Sequence, residues 1–113
     1  VSLTIGAASS PCFSQGLCLK STLNRSTDAA PHSLSYDVNL SGKNEDAVIE
    51  RILAADASYG DNLGYRAFPG PDLARYNSNS YISGLMMTVG LPPIPFPVPL
   101  PGWNKPVPAN AFR

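Results

Sequence analysis

Residues 44–60 read NEDAVIERILAADASYG, and this stretch decides the fold class. Asn44 is a helix-capping residue, because its side-chain oxygen can accept one of the first N–H groups that have no partner inside a helix. Glu45 and Asp46 follow in the first turn, where negative charge suits the positive end of the helix dipole. Val48, Ile52, Ala55 and Tyr59 recur at helical spacing, joined by Ile49 and Leu53, so one face is apolar. Gly60 is well placed to stop the helix. Just upstream the period changes. Leu34, Tyr36, Val38 and Leu40 alternate with Ser33, Ser35, Asp37 and Asn39, which is the signature of a half-buried strand. The fold expected is therefore α+β: a small antiparallel sheet of three or four strands, two helices on one side, and an extended Pro-rich C-terminal tail.

Further strands are expected at Val1–Ile5, which alternates and is β-rich, and at Leu17–Leu23. Between them, Gly6 to Gly16 reads as a loop of small residues containing Pro11. Asn24 to Pro31 is polar and turn-like. Tyr65–Phe68 reads as a short strand ended by Pro69-Gly70-Pro71. A second helix is predicted to start near Asn77 or Asn79. Ile82, Leu85, Met86 and Val89 then form a core stripe at i, i+3, i+4 and i+7, and Gly90 closes the helix. Met86 and Met87 read as helix and core residues. From Pro92 onward closely spaced prolines rule out helix and central strand. Ile94, Phe96, Val98, Leu100 and Trp103 lie between them. That much apolar surface predicts a tail that packs on the domain; the alternative is a ligand for an aromatic-lined groove in a partner. The division expected is a domain over residues 1–91 and a tail over 92–113.

The chain has 113 residues, enough for one core. Eight basic and eight acidic residues cancel, so there is no electrostatic footprint for nucleic acid. Charged residues make up 14%, against about 25% in average domains, which predicts that a partner or further chain covers part of the surface. No segment approaches the roughly 18 uninterrupted apolar residues of a membrane span. The chain opens at Val1, without Met, directly in a strand-like run, and so reads as a fragment or the end of a larger polypeptide. Cys12 and Cys18 are spaced C-x5-C. Metal sites prefer tighter spacing and more ligands than one histidine supplies, so no metal and no cofactor is expected. A disulfide in an oxidising compartment and two unpaired thiols both remain open for this pair. Asn24 and Asn39 head glycosylation-type triplets of a kind that arises often by chance.

The chemically pointed segment is Arg75–Leu85. Small polar residues lie just before and inside the first turn of the second helix. A nucleophile there has its anionic form favoured by the dipole, and neighbouring N–H groups can receive a developing oxyanion. Asn77-Ser78-Asn79-Ser80-Tyr81 resembles the nucleophile helix of circularly permuted papain-like (NlpC/P60-like) domains, which carry Asn-Cys-x-x-Phe at a helix start. The Pro69-Gly70-Pro71-Asp72 stretch before it is similar to a bacterial branch in which Pro-Gly-Pro leads into Asn-Ser-Asn-Thr-Phe. Gly84–Pro92 with the prolines that follow resembles C-terminal regions of large secreted bacterial adhesin-, hemagglutinin- or Rhs-like proteins. The close match is confined to this short stretch, with a looser match over most of the chain.

The resemblance implies a hydrolase of the amidase or peptidase type acting on an amide or ester in cell-wall peptide, protein or lipid, secreted or at a bacterial cell surface. It places Ser78 at the nucleophile position, with Asn77 and Tyr81 completing the motif. His32, the only histidine, would be the base, and Asp37 or Asn39 could orient it. Asn79 and Ser80, at the helix N-terminus, would supply the oxyanion donors. The family position carries Cys, and here it is Ser. That leaves a native serine nucleophile, a natural loss of activity, or an engineered inactive form. The rival expectation is a non-catalytic interaction module contacting a neighbouring domain of a larger secreted protein. Asn77, Ser78 and Asn79 can equally be a helix cap. Arg66 and Arg75 could bind a carboxylate, though solvated arginines are the commoner outcome.

Overall fold

A computed structural model describes residues 5–12, 16–23, 40, 42–70, 74–92 and 100–113. The alternating run before Leu40, His32, Asp37, Asn39, Asn24 and the prolines at 93–99 fall outside the described residues. The elements in order are β1 (Ile5–Cys12), β2 (Gly16–Leu23), α1 (Glu45–Ser58), β3 (Leu63–Tyr65), β4 (Arg75–Tyr76), α2 (Ser78–Thr88) and a 3₁₀ turn at Ala109–Phe112. The class is α+β, as expected, with four strands in the order β1-β2-β3-β4 and two helices.

Three features of the sheet depart from the expectation. β1 extends through Ala7, Ala8, Ser9, Ser10 and Pro11, where a loop was predicted, and pairs antiparallel with β2 from Ile5↔Leu23 to Cys12↔Gly16. Small residues carry little period-two signal, and a proline is tolerated on an edge strand, which β1 is among the described residues. The short third strand lies at Leu63–Tyr65 rather than Tyr65–Phe68 and pairs antiparallel with β2. β4 then runs parallel to β3, through Gly64↔Arg75 and Tyr65↔Tyr76, so the sheet is mixed. Arg66 N–H donates to Tyr76 O at 3.1 Å and prolongs that pairing.

Alternation divides the hairpin into two faces. Ala7 and Leu19 point to the helix side, and both are buried. Ser10, Cys12, Cys18 and Lys20 have the opposite parity. Cys12 and Cys18 form a disulfide there, with Cα atoms 5.7 Å apart, which closes the hairpin end.

α1 is capped as its sequence predicts, with Asn44 Oδ1 accepting Ala47 N–H at 3.1 Å. Gly90 takes φ +81 at the end of α2, a left-handed conformation that suits glycine. The helices run antiparallel. Lys43, before α1, donates to Gly90 O at 3.2 Å, while Asp56 near the end of α1 accepts from Tyr81 near the start of α2. The core joins Ala7, Leu19, Val48, Ala55, Tyr59, Tyr81, Leu85, Met86 and Val89 with two residues of the C-terminal segment, Val107 and Phe112. Tyr59, Tyr81 and Phe112 form an aromatic cluster with centroids 4.9–5.9 Å apart. Met87 is exposed, unlike its neighbour Met86. Among the described residues no helix is long and apolar enough to cross a membrane.

Candidate functional site

The N-terminus of α2 is built by Asn77. Its backbone is extended (φ −119, ψ −173) and its side chain caps the helix. Oδ1 accepts Ser80 N–H at 3.0 Å, and Ser80 Oγ accepts Asn77 N–H at 3.3 Å, a reciprocal capping box. Both amide protons of Asn77 are also used, donating to Ala67 O at 2.9 Å and Pro101 O at 2.8 Å. A residue only 5% exposed thus has its hydrogen-bonding capacity filled from three separate segments.

The next residues continue the pattern. Asn79 Nδ2 donates to Pro101 O at 2.9 Å, Ser80 Oγ to Gly102 O at 3.0 Å, and Ser83 Oγ to Trp103 O at 2.9 Å. Val107 N–H returns a bond to Ser80 O at 3.0 Å. Lys105 Nζ donates to Gly70 O and lies 5.1 Å from the Tyr76 ring centre. The first turns of α2 therefore hold the C-terminal segment as a strap, through three successive carbonyls.

Ser78 is the first helical residue and is half-buried. Among the described residues its hydroxyl has no hydrogen-bond partner, whereas Asn77, Asn79 and Ser80 all do. Ser80 N–H is spent on the cap, so of the two expected oxyanion donors the main-chain N–H of Asn79 is the one without an intrahelical partner. His32 lies outside the described residues, and its relation to Ser78 with it. Arg66 and Arg75 are exposed.

Tyr81, at the aromatic position of the motif, is fully buried and donates to the buried Asp56 carboxylate. Burial, then that hydrogen bond, pushes its ionisation well above the ordinary tyrosine range. Tyr59 donates to Leu19 O at 2.6 Å and is pushed up to about 12, chiefly by burial. Both phenols are held neutral in the fold and ionise more easily in the unfolded chain. Their contribution to stability is complete below about pH 10 and is lost as pH rises toward 12 and beyond. Alkaline unfolding followed by circular dichroism is expected to start above about pH 10. Tyr59→Phe, which removes one of the two ionisations, should shallow that loss. An unchanged slope would contradict the assignment.

The packing of the tail on the domain was expected; what sequence reasoning missed is which groups of α2 hold it. The Asn-x-x-Ser spacing carries the capping box, but nothing local in it says which carbonyls the spare donors meet. Comparison with protein-family models, with curated proteins and with solved structures finds no match. The fold and the site define a small α+β domain whose second helix opens on a serine and clasps the chain's own C-terminal segment.

Proposed function

We propose that this chain is a papain-like hydrolase domain of the amidase or peptidase type, with Ser78 as nucleophile attacking an amide or ester. The observation that carries the reading is the contrast along one turn: Asn77, Asn79 and Ser80 are bonded, and the hydroxyl at the motif's nucleophile position is left without a partner among the described residues. The positive end of α2 favours its alkoxide-like form, and Asn79 N–H is the main-chain donor for an oxyanion. His32 is the proposed base. Peptide, cell-wall and lipid substrates all fit this chemistry. The Cys12–Cys18 disulfide supports an oxidising, secreted or cell-surface location, and the bacterial setting rests on the motif's resemblance alone.

A fluorophosphonate probe is expected to label wild-type protein at Ser78, with labelling lost in Ser78→Ala and reduced in His32→Ala. A site shaped for a thiolate would instead stay silent until Ser78→Cys, which would then react with iodoacetamide at low pH. A second reading is a non-catalytic module that contacts a neighbouring domain of a larger chain. It is favoured by the use of α2's polar side chains to hold the strap. Folded protein that reacts with neither reagent would leave that second reading in place of the first.

A further inference from the structure

We propose that the Cys12–Cys18 disulfide is a thiol-exchange site, at which a small amino-acid-type thiol, carrying both a carboxylate and an ammonium group, attacks Cys12 and displaces Cys18. Ser78 takes no part in it, and the attacking thiolate needs no base from the protein. The bond lies on the sheet face that turns away from the helices. Cys18 is directly opposite Ser10 on β1 and Gly64 on β3, and Gly64 is opposite Arg75 on β4, so the four share one row and one face. A pocket of about 420 Å³ opens beside the bond, within the usual range of small-molecule sites. Among the described residues both cysteines line it, together with Ser10, Lys20, Asp61 and Asn62.

The two sulfurs are not equivalent. Cys18 is 7% exposed, whereas Cys12, at the end of β1, is only half-buried, so access directs the attack to Cys12. Departure of Cys18 as a thiolate is favoured by positive charge nearby. Arg75 supplies it. Its stem crosses Gly64, where a β-carbon would lie 3.0 Å from Arg75 Cγ, so no side chain stands between Arg75 and Cys18 on their row. The walls select the thiol. Lys20 is exposed and can take a carboxylate. Asp61 accepts Ser21 N–H through Oδ1 at 2.9 Å, which leaves its other oxygen for an ammonium group. A neutral thiol would leave both charges unmatched. In the exchange, the incoming sulfur bonds Cys12 Sγ as the Cys12–Cys18 bond breaks. The electron pair leaves on Cys18 Sγ, which takes up the proton that the thiol gave up. A second thiol attacking the mixed disulfide releases the small-molecule disulfide; two thiols are then oxidised and the protein bond is reduced.

The folded protein is incubated with glutathione, with cysteine or with mercaptoethanol, free thiols are blocked with iodoacetamide at intervals, and the peptides are identified by mass spectrometry. The adduct is expected on Cys12 and the block on Cys18. Relative to each thiol's rate with an open-chain disulfide, glutathione and cysteine should react about fivefold faster than mercaptoethanol. Lys20→Gln should remove that preference and leave the mercaptoethanol rate unchanged. Arg75→Gln should slow all three thiols about threefold. Circular dichroism confirms that each variant is folded. An adduct on Cys18, equal relative rates for the three thiols, or no effect of either variant overturns the proposal. So does a bond that exchanges only in denaturant, which would be a purely structural link.

Discussion

Replacing Asn77 by alanine is expected to cost about 3 kcal/mol, a large share of the roughly 5–15 kcal/mol that holds a domain of this size. Loss of an N-cap side chain costs ~1 kcal/mol, and each of the two bonds to Ala67 O and Pro101 O adds about 1 kcal/mol. These contributions reinforce one another, because the same amide group ties the helix start, the loop after β3 and the strap. Urea unfolding should show a lower midpoint with little change in slope. Asn77→Asp separates the parts: it keeps the oxygen that accepts Ser80 N–H but turns both donors into acceptors facing carbonyl oxygens. It should therefore be nearly as damaging as alanine. A mild effect of Asn77→Asp would mean that capping matters and the clasp does not.

The second large effect is expected at Gly84. Alanine is the better helix former by about 1 kcal/mol, so on propensity alone Gly84→Ala should stabilise α2. A β-carbon there would lie 2.2 Å from Val107 O and 2.7 Å from Val107 N, main-chain atoms that have no rotamer to yield. Val107 is 2% exposed and bonded to Ser80 O, so the strap must lift or the helix must move. Overpacking of this kind costs typically 1–3 kcal/mol, and a backbone-on-backbone contact belongs at the upper end or beyond. Trp103 is the chain's single tryptophan and sits in the strap, so its emission reports the displacement directly. A red shift with a lowered unfolding midpoint is expected. Gly16→Ala, with open space around it, is the control and should change little. A stabilising Gly84→Ala would show that the strap does not dock against α2 in solution.

These two positions show why a proline-rich C-terminus belongs to the domain. The tail was expected to be extended and to pack on the domain over residues 92–113. Among its described residues, a turn at Pro101–Asn104 and a 3₁₀ turn at Ala109–Phe112 deliver Val107 and Phe112 into the core. Gly102 makes the turn with φ +85, and a β-carbon there would meet Asn77 Oδ1. Between Gly84 and Gly102, the absence of side chains lets two backbones approach closely enough for the hydrogen bonds of the clasp to form.

What the sequence determined by itself was local. The cap at Asn44, the apolar stripe of α1, the stripe Ile82-Leu85-Met86-Val89 and the stop at Gly90 each depend on residues within a turn or two. The preference of Asn and Ser for a helix start was equally visible at Asn77–Ser80. Tertiary structure alone decided which distant groups those residues would meet. The parallel pairing of β3 with β4 and the extension of β1 through small residues came from strand partners. The choice between thiols and a disulfide at Cys12 and Cys18 followed from the hairpin register that sets them on one face. Asn77 and Pro101 are 24 residues apart, and Tyr81 and Asp56 are 25. Helical period and cap chemistry act along a few residues of chain, whereas a spare amide proton or a buried carboxylate finds its partner only after the helices have packed.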